Sequence, residues 1–300
     1  MASNPPHPLS EHTFEDPCNP SKRIPFPSLS DPPTLDLSII VPAYNEAIRL
    51  PSMLDEALNY LSERAKRQTT PPFSYEVLIV DDGSKDDTVV IAQRYAAREG
   101  IDHVRVLRLQ QNSGKGAAVR QGMLSARGRF LLMADADAAT VFADIEKLET
   151  CISDPSVHVA IGSRAHLQNG GADKLGRAPL RKFVSLVFNL VVKTIGGVQG
   201  LRDTQCGFKL YSRNAARVAF SGQMLRRWAF DVENLYRVQK AGLRVVEVAV
   251  NWTEVPGSKL SVIKATVNML MDMLRMRYMY WTGAWSVTLP TMAPKSTGDG

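Results

Sequence analysis

The chain has no uninterrupted apolar run of about 18 residues, the length a helix needs to cross a bilayer, so no clear transmembrane helix is expected. Its N-terminus lacks the basic-then-apolar order of a signal peptide. Cysteine is scarce. Cys18, Cys151 and Cys206 are odd in number, widely spaced and without a C-x-x-C pair or a histidine cluster beside them. That pattern points away from a disulfide framework and from a zinc site, and favours a reducing compartment. The G-x-x-x-x-G-K-[ST] phosphate loop is absent, and no internal repeat is present. Basic residues do not alternate with aromatics along a groove-like stretch, so nucleic acid is not an expected partner.

What is present is enough for a substantial core: 300 residues, 44% of them hydrophobic, with a net charge of +6 that suits an anionic partner. Nine prolines fall within residues 1–36 among few aliphatics, and this composition predicts a disordered tail. A single domain is expected over residues 37–260. Strand-like runs at Leu37–Val41, Val77–Val80, Val104–Leu109, Phe130–Ala134 and Val157–Ile161 alternate with helical stretches. Such a β-α-β-α succession predicts an α/β fold with a mostly parallel sheet and right-handed crossovers.

Two of these strands end in paired acids, Asp81-Asp82 and Asp135-Ala136-Asp137. Ligands of open α/β sheets bind beyond the carboxyl ends of the strands, where two carboxylates can hold a divalent cation against a diphosphate; a solvated turn is the plainer alternative. Gly114-Lys115-Gly116 opens a helix and offers either backbone amides and a cation to a phosphate or simply a capping loop. Asp231 and Glu233, two residues apart, do not share a helix face, so at most one is expected to point at a ligand. A basic loop over 165–182 feeds the apolar stretch Phe183–Val192, and residues 261–286 gather Met, Tyr and Trp beside Lys264, Arg275 and Arg277. Both stretches suit either core packing or a membrane interface; the second is taken as an amphipathic membrane-interface helix, followed by a flexible tail over 287–300.

Taken in order, Val41-Pro42-Ala43-Tyr44-Asn45-Glu46, Val80-Asp81-Asp82-Gly83-Ser84, Asn112-Ser113-Gly114-Lys115-Gly116 and Asp135-Ala136-Asp137 resemble the motifs of the inverting glycosyltransferases that use nucleotide-diphosphate sugars. Gly162-Ser163-Arg164, Asp203–Lys209, Arg227–Glu233 and Trp252–Lys259 resemble the members of that family that glucosylate dolichyl phosphate. The resemblance implies a single Rossmann-like nucleotide-diphospho-sugar transferase domain of the A-type glycosyltransferase fold. It also implies UDP-glucose as donor, dolichyl phosphate as acceptor, and work at the cytosolic face of the endoplasmic reticulum membrane in support of protein N-glycosylation. By the same resemblance Pro42, Tyr44, Glu46, Asp81, Asp82 and Lys115 would contact the nucleotide. Asp135 and Asp137 would hold Mg²⁺ or Mn²⁺ on the diphosphate, and Arg164 and Arg181 the acceptor phosphate. Asp231 would complete the catalytic set. Two departures stand out. Relatives commonly carry glycine where this chain has Ala138, and a transmembrane helix where it has the Pro-rich tail. The same chemistry with GDP-mannose, and a non-catalytic nucleotide-binding membrane module, are the competing expectations.

Overall fold

The computed structural model describes residues 13–166, 194–255 and 262–287. In chain order these form β1 (Thr13–Asp16), β2 (Asn19–Pro25), β3 (Leu35–Ala43), α1 (Leu50–Arg67), β4 (Tyr75–Asp81), α2 (Thr88–Glu99) and β5 (Val104–Arg108). There follow α3 (Lys115–Leu124), β6 (Gly128–Ala134), a 3-10 turn (Phe142–Asp144), α4 (Ile145–Ile152) and β7 (Val157–Ser163). The remainder are β8 (Phe208–Ser212), α5 (Arg213–Phe220), α6 (Phe230–Lys240), β9 (Arg244–Ala249) and α7 (Val262–Trp281). The expected apolar helix at Phe183–Val192, Arg181 and most of the basic loop lie outside the described residues.

Seven strands make one sheet in the order β5-β4-β3-β6-β8-β7-β9. All neighbours run parallel except β8, which is antiparallel to both β6 and β7. The sheet is therefore mostly parallel, as the β-α succession predicts. Its two faces are covered by separate apolar clusters, and side chains alternate between them. Leu131 and Met133 of β6 join one cluster, Leu132 and Ala134 the other. Each fully buried aliphatic contributes roughly 1.5–3 kcal/mol, so a strand sealed on both faces is held firmly. The chain passes from β3 outward to β4 and β5, then returns to β6 on the other side of β3. That reversal opens a crevice at the carboxyl ends of β3 and β6, where Asp135 and Asp137 emerge.

The N-terminal segment differs from the expected disordered tail. Residues 13–36 are ordered, beginning with the antiparallel hairpin β1–β2. The rings of Phe14 and Phe26 meet at a tilt, 4.9 Å apart, with the Arg105 guanidinium 5.3 and 5.1 Å from them. Arg105 itself is 2% exposed and paired with Glu76. Further along, Leu29 is buried, and Arg213 and Arg217 collect the carbonyls of Ser28 and Leu29 at 3.1 and 2.9 Å. The order comes from docking onto residues far away in sequence, which local composition does not report.

Helix α7 has two apolar faces. Met269, Met273, Met276 and Tyr280 pack into the core, and Tyr280 Oη donates to Glu233 while accepting from Arg237 at 2.8 Å. The other face presents Val267, Met271, Leu274, Tyr278 and Trp281 to solvent. Among the described residues no helix is long and apolar enough to cross a membrane.

Candidate active site

The Asp135–Asp137 turn is pinned on both sides. The Asp135 amide donates to the Gly207 carbonyl at 3.0 Å, and Thr253 N donates to the Ala139 carbonyl at 2.9 Å. Asp137 Oδ1 accepts from the Ala139 amide at 3.0 Å. Between these points Ala138 adopts φ +55°, the left-handed region that favours glycine. The departure flagged in the sequence thus falls at the one residue of the turn that needs a left-handed backbone, and the contacts to Ala139 hold it there.

Burial, and next the charge of Asp135, push the Asp137 carboxyl above its ordinary value. Lys115 at the start of α3 brings Nζ to 2.6 Å from Asp135 Oδ1. The ammonium holds that buried oxygen as an ion pair. Burial works against the charge of Lys115, yet Asp135 and Asp231 raise its pKa overall. The other side of the Asp135 carboxylate lies on bare backbone: a Cβ at Gly207 would sit 2.0 Å from Oδ2. Two carboxylates one residue apart and a cradle that excludes a side chain fit a hard divalent cation. Among the described residues no group of three His, Cys, Asp or Glu side chains converges. A cation here would therefore complete its coordination with a diphosphate and water.

The expected nucleotide loops are sewn together. Asn45, at φ +54°, accepts from the Lys85 amide at 2.8 Å and gives its own amide to Ser84 Oγ at 2.9 Å. The Glu46 amide donates to Thr88 Oγ1 at 2.8 Å, and Arg49 Nε donates to the Glu46 carboxylate at 2.7 Å. Tyr44 stands 41% exposed at the rim, available for a base or ribose. Pro42, next to last in β3, stands in register with Val80, and Asp81 ends β4 beside Ala43. Asp81 is buried and pushed up by desolvation. The two oxygens of Asp82 accept the amides of Ser113 and Gly114 at 2.7 and 2.9 Å, so it anchors the loop that presents Lys115.

Across the crevice, Arg164 follows β7. Its Nε and Nη2 reach Asp203 at 2.7 and 2.8 Å, and its guanidinium lies 5.3 Å from the Trp252 ring. Desolvation opposes its charge, but Asp203 raises its pKa well above the ordinary value. Arg181, its expected companion, lies outside the described residues. Asp231 is not at a surface. It is 4% exposed and ion-paired to Lys209, itself fully buried on β8. Glu233 caps the preceding loop by accepting the amides of Met224 and Leu225 at 3.0 and 2.6 Å.

Asp203 and Lys209 bound one of the resembling motifs, but the sequence alone assigned neither a role. The available signal was a lysine inside an apolar strand, Phe208-Lys209-Leu210-Tyr211, since a buried cation requires a buried anion.

Comparison with known proteins gives the family and the fold. The model of the family "Glycosyl transferase family 2" matches residues 38–218. The dolichyl-phosphate beta-glucosyltransferase of Mus musculus is 50% identical over 265 residues, covering 87% of this chain and 80% of that protein. The one of Drosophila melanogaster is 48% identical over 282 residues, covering 92% and 85%. Among solved structures, glucosyl-3-phosphoglycerate synthase from Mycobacterium tuberculosis, crystallised with Mn²⁺, UDP-glucose and phosphoglyceric acid, superposes with a TM-score of 0.56 at 15% identity. The match covers 81% of this chain and 80% of that chain. At that identity the likeness is one of fold.

Proposed function

This chain belongs to glycosyl transferase family 2 and, within it, to the dolichyl-phosphate β-glucosyltransferases; from that premise we propose that it transfers glucose from UDP-glucose to dolichyl phosphate with inversion. The observation that carries the donor half is the Asp135–Asp137 turn, cradled on bare backbone at Gly207 and paired with the Lys115 cation. When bound there by Asp135 and Asp137, Mg²⁺ or Mn²⁺ would supply charge neutralisation for the departing UDP.

The chain's own residues have a limited chemical task. A phosphate monoester has a second pKa near ~6, so the acceptor arrives as an anion and needs no strong general base. Positioning and charge stabilisation are what remains. Lys115 opens α3 and places a cation on the diphosphate side. Arg164, oriented by Asp203, places another on the acceptor side. Tyr44, on the loop fixed by Ser84, Lys85 and Thr88, offers a face for the base. Incubating the full chain with Mg²⁺, a short polyprenyl phosphate and either UDP-glucose or GDP-mannose tests the donor. Turnover of UDP-glucose alone is expected; turnover of GDP-mannose alone would refute it.

The acceptor is a lipid, and α7 supplies a surface for its membrane. The solvent-facing stripe Val267, Met271, Leu274, Tyr278 and Trp281 repeats at helical spacing, with Arg275 and Arg277 beside it. Asp272 on the same helix lies within electrostatic reach of Arg227, which in turn reaches Asp82 at the nucleotide loops. The proposal is that α7 rests in the interface of the endoplasmic reticulum membrane, with the site open to the cytosol. Each of two large apolar side chains contributes roughly 1.5–3 kcal/mol when buried, so replacing Met271 and Trp281 by glutamate is expected to cut liposome flotation at least tenfold. Flotation equal to the unaltered chain would remove the role from α7.

A further inference from the structure

Four buried side-chain atoms among the described residues lack a hydrogen-bond partner: Asp135 Oδ1, Thr204 Oγ1, Gln205 Nε2 and Asn234 Oδ1. Two of them sit on one segment, and a third, Asp135 Oδ1, already meets the Lys115 ammonium at 2.6 Å. Thr204, 3% exposed, and Gln205 lie on the segment that runs from Asp203, which grips Arg164, to Gly207, which cradles Asp135. The segment is not loosely held. The amides of Arg202 and Asp203 both donate to Glu247 Oε1, at 2.8 and 2.6 Å, and Cys206 is fully buried. Buried polar groups of folded proteins are almost always paired, so unpaired ones on a pinned segment beside a ligand site mark groups whose partner arrives with the ligand.

Chemistry narrows the partner. The glutamine nitrogen is a neutral donor and the threonine hydroxyl both donates and accepts. The anionic parts of the substrates already face cations, Lys115 on one side and Arg164 on the other. A neutral donor beside a hydroxyl matches sugar hydroxyl groups instead. Position agrees, because in a single displacement the hexose must lie between the departing diphosphate and the attacking phosphate. Residues 204 and 205 span the interval between Asp135 and Arg164. We propose that Thr204 and Gln205 read the hydroxyl groups of the donor hexose. The assignment rests on the UDP-glucose reading above.

The test uses full-length Thr204→Val and Gln205→Leu variants, compared with the unaltered chain in three measurements. These are thermal unfolding without ligand, UDP affinity by calorimetry with Mn²⁺ present, and kcat/KM for UDP-glucose with a short polyprenyl phosphate. Each variant is expected to unfold at the same or a higher temperature, since an unpaired buried polar atom is removed. UDP affinity is expected to change less than about twofold, while kcat/KM falls roughly tenfold or more. Discrimination against UDP-galactose is expected to narrow in parallel. A lowered unfolding temperature would assign the pair to packing and overturn the proposal. An equal loss for UDP and for UDP-glucose turnover would move the contact to the nucleotide, and unchanged kinetics would abolish it. Failure of the donor reading shows separately, as an unaltered chain that does not turn over UDP-glucose at all.

Discussion

Asp137→Ala is expected to yield a folded protein whose glucosyl transfer is reduced by about 10³-fold or more. The side chain sits in a turn, not in either apolar cluster, and its one hydrogen bond within the turn is to the Ala139 amide. Its removal also relieves the repulsion between Asp135 and Asp137 that contributes to raising the Asp137 pKa. Unfolding temperature should therefore move by only a few degrees. On the reading proposed above, what is lost is one of two oxygen ligands for a cation that would offset the charge of departing UDP, an interaction strongest where the reaction needs it. Circular-dichroism melting and steady-state kinetics with Mg²⁺ measure the two effects together. Turnover within tenfold of the unaltered enzyme would remove Asp137 from the metal role.

Lys209→Met carries the largest expected cost in stability. Lys209 is fully buried in the middle of the sheet and its partner Asp231 is 4% exposed. Removing the cation alone strands a buried carboxylate, which typically costs about 3–5 kcal/mol, or on the order of 10 °C in unfolding temperature for a domain of this size. The double substitution Lys209→Met with Asp231→Leu is expected to recover most of that loss, because neither charge is then left unpaired. The pH dependence has a definite sign. Burial holds the Asp231 carboxyl above its ordinary value of 3.8 despite Lys209 and Lys115, and loss of Lys209 raises it further. Between 3.8 and the raised value the folded state binds more protons than the unfolded one. Stability of the single variant therefore falls as pH rises through that window, and acidification partly rescues it. Denaturant melts between pH 4 and 8 follow this; a single variant as stable as the parent at neutral pH would show the pair to be dispensable.

Much of the fold was legible because strand and helix periods are local. The run from Leu37 to Val41, the α1 face of Met53, Leu54, Ala57, Leu58 and Leu61, and the acids closing β4 and β6 all stand where their spacing predicts. Ala138 was legible too, as a Cβ where the turn favours glycine, and its φ of +55° bears that out. Features made by distant partners were not. The hairpin of residues 13–25 is ordered by Arg105 and its neighbours, and nothing in a proline-rich segment announces a buried guanidinium waiting for two phenylalanines. The sequence does not show that Asp82 also ties down the amides of Ser113 and Gly114, about thirty residues on. Arg164 looks free until Asp203, 39 residues on, is found to hold it. A charged residue in sequence shows what it can bind, whereas folding decides whether that capacity is already used.

The central claim is a single displacement in which the lipid phosphate, itself the nucleophile, attacks glucose held at the Asp135–Asp137 turn. The most direct test is the anomeric configuration of the product formed from UDP-glucose and a polyprenyl phosphate, read by proton NMR. A β-linked glucosyl phosphate is expected, formed by inversion of the α-linked donor. An α-linked product would contradict direct attack by the phosphate and would require either a covalent glucosyl intermediate or departure and attack on the same face.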